Sequence, residues 1–217
     1  MRAKTANPSI ERTAKQPLRA LVLTLASAIS SSSLAAGCRS YATDLAAMRV
    51  ADQSLGGYFP LRPDASISLR FGNAAELIGR TNTRQLKNLL KQCGWPVASK
   101  YGKEASADAW LLVQHAGHDR EFQRHALVLL EHAVNAGEAR GGDLAYLSDR
   151  LAVAAGKPQL YGTQFTGFED CKLVLATIDS REAVNARRRA IPGMPTLEEY
   201  EQFANAHIPS SECRKGP

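Results

Sequence analysis

The sequence predicts a mainly α fold: a single compact domain of short helices with glycine-ended turns, and room for one or two short strands. Three observations predict it. Apolar residues recur at i, i+3, i+4 and i+7 in one stretch after another. Glycine or glycine–proline punctuation stops those stretches. Sustained apolar–polar alternation, the mark of half-buried strands, is scarce.

The elements follow in order. "YATDLAAMRVADQSL" has apolar residues near helical spacing and predicts a helix ended by Gly56 and Gly57. "YFPLRPDASISLRFG" carries two prolines and some alternation, which fits a loop or a short edge strand. In "TNTRQLKNLLKQCGWP", Asn82 or Thr83 is placed to cap a helix whose stripe is Leu86, Leu89, Leu90 and Cys93. Gly94 then takes the stop position and Pro96 prevents continuation. "KEASADAWLLVQHAG" repeats the pattern with Ala109, Leu112, Val113 and Ala116, closed by Gly117. Asp119 caps the next helix, whose stripe is Phe122, Ala126, Leu129, Leu130 and Ala133, and Gly137 ends it. Asp143 is placed to cap a helix with Leu144, Leu147 and Leu151 inward, stopped by Gly156 and Pro158. "QLYGTQF" reads as a loop or short extended segment. "CKLVLATI" is a strand or a buried helix, which periodicity cannot separate for so short a run. Asp179 with Glu182, and Thr196 with Glu199, form capping boxes that open two C-terminal helices.

The chain divides as 1–37, 38–80 and 81–217: a signal peptide, an N-terminal helix with an irregular segment, and a helical core domain. Arg2, Lys4, Arg12, Lys15 and Arg19 form a basic flank with one acid, Glu11. "ALVLTLASAI" is an apolar run of ten, and small residues follow it. That run is too short for a membrane span, which needs about 20 residues. The expected location is therefore outside the cytoplasm, in the periplasm or anchored to the membrane as a lipoprotein. "SLA" or "AAG" suits a general signal peptidase. "LAAGC" also resembles a lipobox in which Cys38 is the lipidated residue, though leucine stands one position early.

The leader also carries most of the charge. The chain has 27 Lys+Arg against 21 Asp+Glu, and removing the leader's five and one leaves 22 against 20. That balance gives no reason to expect a nucleic-acid partner. "ARRRA", Ala186 to Ala190, is the one basic cluster left and reads as a solvated helix face. With Cys38 lipidated, Cys93, Cys171 and Cys213 remain, and an oxidising compartment predicts a disulfide among them. With Cys38 unmodified, four cysteines can form two disulfides.

Three of the five histidines fall in "QHAGHDREFQRH". On one continuous helix His115, His118 and Asp119 would share a face and suggest a metal. Gly117 and Asp119 instead mark a break, so no metal is expected. His118 falls in the turn, and His125 lies opposite the Phe122–Leu129–Leu130 stripe. No P-loop, Gly-x-Ser-x-Gly, His-Glu-x-x-His or dinucleotide fingerprint is present, and no cofactor is expected.

Four ordered motifs carry a resemblance. "NTRQLKNLLKQCGWP", "AWLLVQHAGHDREFQ", "AYLSDRLAV" and "PQLYGTQF" resemble a bacterial family of domains of unknown function, over about Thr81 to Phe165. The resemblance brings no activity. It marks Asn82, Trp95, Gln114, His115, Asp119, Gln123, Asp149, Arg150, Tyr161 and Gln164 as signature positions. Gly117 stands where the family pattern has aspartate. Two readings follow. In the first, the protein is an envelope hydrolase or transferase with a polar pocket. His115 is its general base or acid, Asp149 orients the imidazole, and Arg150 binds an anion. Gln114, Gln123, Tyr161, Gln164, Asn82 and Trp95 hold the substrate. In the second, the signature residues form a structural network in a non-catalytic binding or assembly module. The partner is an unidentified ligand or envelope protein, and the only membrane contact is a lipid at Cys38. Mass spectrometry of the protein from its native envelope should find a chain beginning at or near residue 38. Retention of the first 37 residues would overturn the export reading, and acylation at Cys38 would identify a lipoprotein.

Overall fold

The computed structural model describes residues 38–54 and 65–208, with side chains described from residue 72 onward in the second stretch. It contains α1 (Tyr41–Gln53), α2 (Ala65–Cys93), α3 (Ala98–Tyr101), α4 (Lys103–His115), α5 (Arg120–Asn135) and α6 (Gly141–Ala154). The hairpin β1 (Phe165–Glu169) and β2 (Lys172–Leu175) follows, then α7 (Arg181–Arg189) and α8 (Leu197–Ala206). The fold is mainly α with one two-stranded sheet, as the sequence predicts. Among the described residues no helix is long and apolar enough to cross a membrane.

One core joins α1, α2, α4, α5 and α6. Tyr41, Leu45 and Met48 of α1 meet Leu86 and Leu90 of α2, and Ala109, Leu112 and Val113 of α4. Phe122, Ala126 and Leu130 of α5 and Leu147 of α6 complete it. The small Ala105 and Ala109 on α4 let neighbouring helices approach closely, while Leu and Phe fill the gaps between them. The predicted stripes of α2, α4 and α5 face this core, with Leu89, Cys93 and Leu129 only partly buried. Two aromatic polar tips are satisfied: Tyr41 Oη donates to the Gly94 carbonyl, and Trp95 Nε1 donates to Ser106 Oγ at 2.9 Å.

Helix ends follow the expected chemistry with several corrections. Asp119 caps α5 by accepting from Phe122 N, and the Thr196–Glu199 capping box is complete. Gly94, Gly137 and Gly156 leave their helices at φ near +70°, whereas Gly117 does not adopt positive φ. The helix expected to start at Asn82 starts at Ala65 instead, so the segment expected as loop or strand is helical from that residue on. The caps are not needed there: Thr83 Oγ1 donates to the Gly79 carbonyl one turn back, and Asn82 Nδ2 donates across to Met48 O. The first residue of α6 is Gly141, so Asp143 lies inside the first turn rather than capping it. Ser180, not Asp179, caps α7, accepting from Ala183 N; Asp179 pairs with Arg187. The helix end expected at Gly56 and Gly57 lies outside the described residues.

"CKLVLATI" resolves as strand β2, antiparallel to β1, with Glu169 opposite Lys172. Two residues turn the hairpin, Asp170 and Cys171, both at positive φ (46° and 61°). That geometry matches the right-handed twist of the strands but strains a cysteine. Asn205 Oδ1 of α8 accepts from Leu173 N and fixes the hairpin against the C-terminal helix.

The cysteine pairing departs from expectation. Cys38 is bonded to Cys93, joining the start of the described chain to the end of α2. Cys93 is therefore not paired with Cys171 or Cys213; Cys171 is exposed on the hairpin turn, and Cys213 lies outside the described residues. A sulfur in a disulfide cannot also carry a lipid thioether, so the lipidated Cys38 expected from the lipobox is incompatible with this bond. The bond closes a separation of 55 residues. Removing it with a Cys38→Ala/Cys93→Ala double variant should lower the unfolding free energy by about 2–4 kcal/mol in urea titrations. An unchanged midpoint would show that the bond constrains nothing.

Candidate functional site

A cleft of about 830 Å³ opens between the start of α6, the side of α4 and the α7–α8 connection. Trp110, Tyr146 and Tyr200 supply aromatic walls. Arg140, Asp143 and Arg188 supply charge, and the glycine–proline segment after α7 supplies backbone. Mostly apolar lining with a few convergent polar groups is the usual character of a small-molecule site.

The walls are built from the sequence in a traceable way. Trp110 and Tyr146 meet edge to face at 6.1 Å, and Tyr146 meets Tyr200 in the same manner at 6.1 Å. Phe165 stacks behind Tyr200 at 5.7 Å. Trp110 Nε1 donates to the Asp143 carbonyl, which fixes α4 against the start of α6. Arg140 grips the Asp143 carboxylate with two nitrogens, Nε at 3.0 Å and Nη2 at 2.8 Å. Gly141 lies so close to Ile191 that an added Cβ would sit 3.0 Å from its side chain, which keeps this end of the cleft narrow.

Arg188 is the unexpected member. "ARRRA" is not a solvated face: Arg187 pairs with Asp179, and Arg188 is only 1% exposed. Val184 and Arg188 stand four residues apart on the buried side of α7. Among the described residues the guanidinium takes no carboxylate partner. Its Nε donates to Pro195 O at 2.6 Å and its Nη1 to the Tyr161 carbonyl, and it lies over the Tyr200 ring at 5.0 Å.

Burial perturbs the charged groups here. Desolvation pushes the Asp143 carboxyl above the ordinary carboxylate range despite the pull of Arg140. Burial raises the Tyr200 hydroxyl well above its usual value, and the neighbouring Tyr146 raises it further. Desolvation lowers the Arg188 guanidinium. Three perturbed groups on one cleft mark it as the leading candidate site.

The residues expected to form the site are mostly elsewhere, and the triad of His115, Asp149 and Arg150 is not assembled. Asp149 is fully buried and spends both oxygens on the loop that follows α6. It accepts from Leu160 N at 2.7 Å, Tyr161 N at 3.0 Å, Thr163 N at 2.9 Å and Thr163 Oγ1 at 2.9 Å. It therefore does not orient His115. The His115 imidazole, 44% exposed, instead places Nδ1 2.6 Å from Oδ2 of Asp52, whose side chain is 8% exposed. Burial alone would raise the Asp52 carboxyl, but hydrogen bonds from His115 and Gln53 outweigh it and hold the group low. Tyr161 contributes its backbone, N to Asp149 and O to Arg188. Gln164 is tied to Gln159, whose Nε2 also reaches Ala176 O. Gln123 is fully buried and bridges to the Val113 and Gln114 carbonyls. Trp95 is in the core. Asn82 is buried in α2, beside a groove of about 800 Å³ between α1 and α2. His118 and His125 are exposed, as the sequence predicts. Among the described residues no group of His, Cys, Asp and Glu is placed to hold a metal ion.

Sequence reasoning passes over Trp110, Tyr146, Arg188 and Tyr200. Only Arg188 leaves a signal, its spacing from Val184. Its place is set by the Asp149 loop: Gly162, at φ +66°, lies where a Cβ would be 2.7 Å from Leu197, so only glycine lets the loop close over α7 and α8. Replacing Asp149 with alanine strands several buried donors and should cost about 3 kcal/mol or more. Hydrogen exchange should accelerate at the amides of Leu160, Tyr161 and Thr163; exchange as slow as in the parent would refute the role given to Asp149.

Residues 42–207 match DUF6624, a family of unknown function. No curated protein and no solved structure matches the chain.

Proposed function

The chain belongs to DUF6624, a family of unknown function, and from that premise we propose that it is an exported envelope binding module whose cleft takes a small ligand. One observation carries this reading: the polar signature residues Asn82, Gln123 and Asp149 are consumed by bonds to the backbone, while the aromatic walls and perturbed charges converge on the cleft. Asp149, Gln123 and Gln159 each satisfy backbone groups that no ligand could then use. The ligand suited to the cleft has an apolar or planar body to lie against Trp110 and Tyr200, and a polar end to meet Arg140, Asp143 and Arg188. Export is supported by the order of the leader. It is also supported by the Cys38–Cys93 bond, since disulfides persist in oxidising compartments. Use of Cys38 in that bond favours a soluble exported form over a lipid-anchored one.

A second reading, a hydrolase or transferase, has one observation in its favour. The His115–Asp52 pair holds a half-exposed imidazole by its Nδ1 and leaves Nε2 without a hydrogen bond among the described residues. A carboxylate-oriented imidazole is one part of a general base. Among the described residues no nucleophile is hydrogen-bonded to that imidazole, and His115 is not a wall of the cleft.

The test is to purify the protein from its native envelope and look for a bound small molecule by native mass spectrometry, then titrate that molecule back. Trp110 emission should change on binding, since Trp95 is sealed in the core. Tyr200→Ala should weaken binding by about tenfold, and His115→Asn should leave it intact. An empty protein whose Trp110 emission responds to no envelope extract would refute the binding reading. Turnover of any extract component that vanishes in His115→Asn would favour the second.

A further inference from the structure

The cleft holds an unbalanced charge and an open helix end. Among the described residues that line it, the charged side chains are Arg140, Asp143 and Arg188. Arg140 holds both oxygens of Asp143, so that pair is neutral. Arg188 remains, buried and without a carboxylate among the described residues. Its Nε and Nη1 are turned to carbonyls. Its Nη2 makes no hydrogen bond among the described residues, yet it is not enclosed. The small part of Arg188 left open therefore includes that nitrogen, at the wall of the cleft. α6 begins in the same cleft. Gly141 and Gly142 are its first two residues, and neither amide donates a hydrogen bond among the described residues. No side chain caps this end. A Cβ added at Gly142 would meet nothing within 4 Å, so the backbone there is open. Contacts join the two features. Gly141 packs on Ile191, whose amide donates to the Arg188 carbonyl. Tyr146, one turn after Gly142, meets the Tyr200 ring, and Arg188 lies over that ring at 5.0 Å.

We propose that the cleft takes an oxyanion, a carboxylate or a phosphate monoester carried on a planar body, and seats it on the Gly141 and Gly142 amides with Arg188 Nη2 as counter-charge. The inference rests on the binding reading given above and names its ligand class. The amides at the start of a helix have no partner within it, and the helix dipole favours negative charge there. A neutral ligand would leave the buried guanidinium without a counter-charge, and a cation would add to the imbalance. An anion supplies the missing charge and accepts from the open donors, through hydrogen bonds stronger than neutral ones. Glycine at both positions keeps side chains out of the approach. The planar body then lies against Trp110 and Tyr200.

The experiment titrates the intact protein with benzoate, phenyl phosphate, benzamide and benzamidine at constant ionic strength, following Trp110 emission. A saturable change with benzoate or phenyl phosphate is expected, and the tighter of the two identifies the group recognised. Benzamide has the shape of benzoate without its charge and should bind about tenfold more weakly or worse. Benzamidine, a cation, should be weaker still. Arg188→Gln should weaken the anion by about tenfold or more. Arg124→Gln removes the same charge from an exposed position on α5 and should leave the affinity unchanged. Because Arg188 also anchors the loop after α6, the unaltered protein gives a second readout: the Gly141 and Gly142 amide protons should shift downfield on saturation with the anion. Benzamide or benzamidine binding as tightly as the anions would overturn the proposal and leave the binding reading standing. Glycine amides that stay fixed at saturation would do the same. No response to any of the four probes would also overturn it, while the binding reading falls only on its own extract test.

Discussion

The C-terminal half of this protein depends on the carboxylate of Asp149. A buried carboxylate is costly unless every lone pair is used, and here four donors from one short loop converge on it. The loop cannot leave without stranding either the acid or its own amides. Once held, its carbonyls face the other way. Tyr161 O receives Arg188, and Thr163 O receives the Tyr200 hydroxyl. Two helices are thus tied to α6 through one side chain on it, and Tyr146 of α6 also meets Tyr200 edge to face. The cleft is the space those helices leave.

The N-terminal half rests on a different principle. α1, α2 and α4 meet through Leu45, Leu86, Leu112 and Val113, with polar contacts at the margins. Asn82 reaches Met48 O, Tyr41 reaches Gly94 O, and the Cys38–Cys93 bond crosslinks the same region. Hydrophobic burial is non-directional, so this packing tolerates small shifts, while the hydrogen bonds fix the register. The two halves meet at α4, α5 and α6. There Trp110 bonds to the Asp143 carbonyl and Gln123 bonds to the end of α4.

The buried polar residues show how the same residue types end in different surroundings. Gln123, Gln159 and Asp149 each bond backbone groups of a different element, so they act as fixed braces. The side-chain amide of Gln114 and the enclosed Nε of the half-buried Arg150 have no hydrogen-bond partner among the described residues. A residue list cannot separate the two kinds, because the distinction lies in which neighbours the fold supplies. His115 shows the same point. Its position at a helix end was readable, but its partner Asp52 lies 63 residues away on α1, and Asp149, nearer in sequence, faces another way.

The sequence by itself determined the fold class, the stripes of α2, α4 and α5, the Asp119 cap and the Thr196–Glu199 capping box. These depend on neighbours within about four residues, where periodicity and backbone chemistry act. It misplaced the start of α2, because contact with α1 overrode the local capping preference of Asn82 and Thr83. Tertiary structure alone decided that Cys38 meets Cys93, that Arg188 is buried, and that Trp110, Tyr146 and Tyr200 share a cleft. Each of these joins residues tens of positions apart, and local periodicity carries no information about which distant surface a side chain will face. Only the packing of helices against one another fixes those pairings.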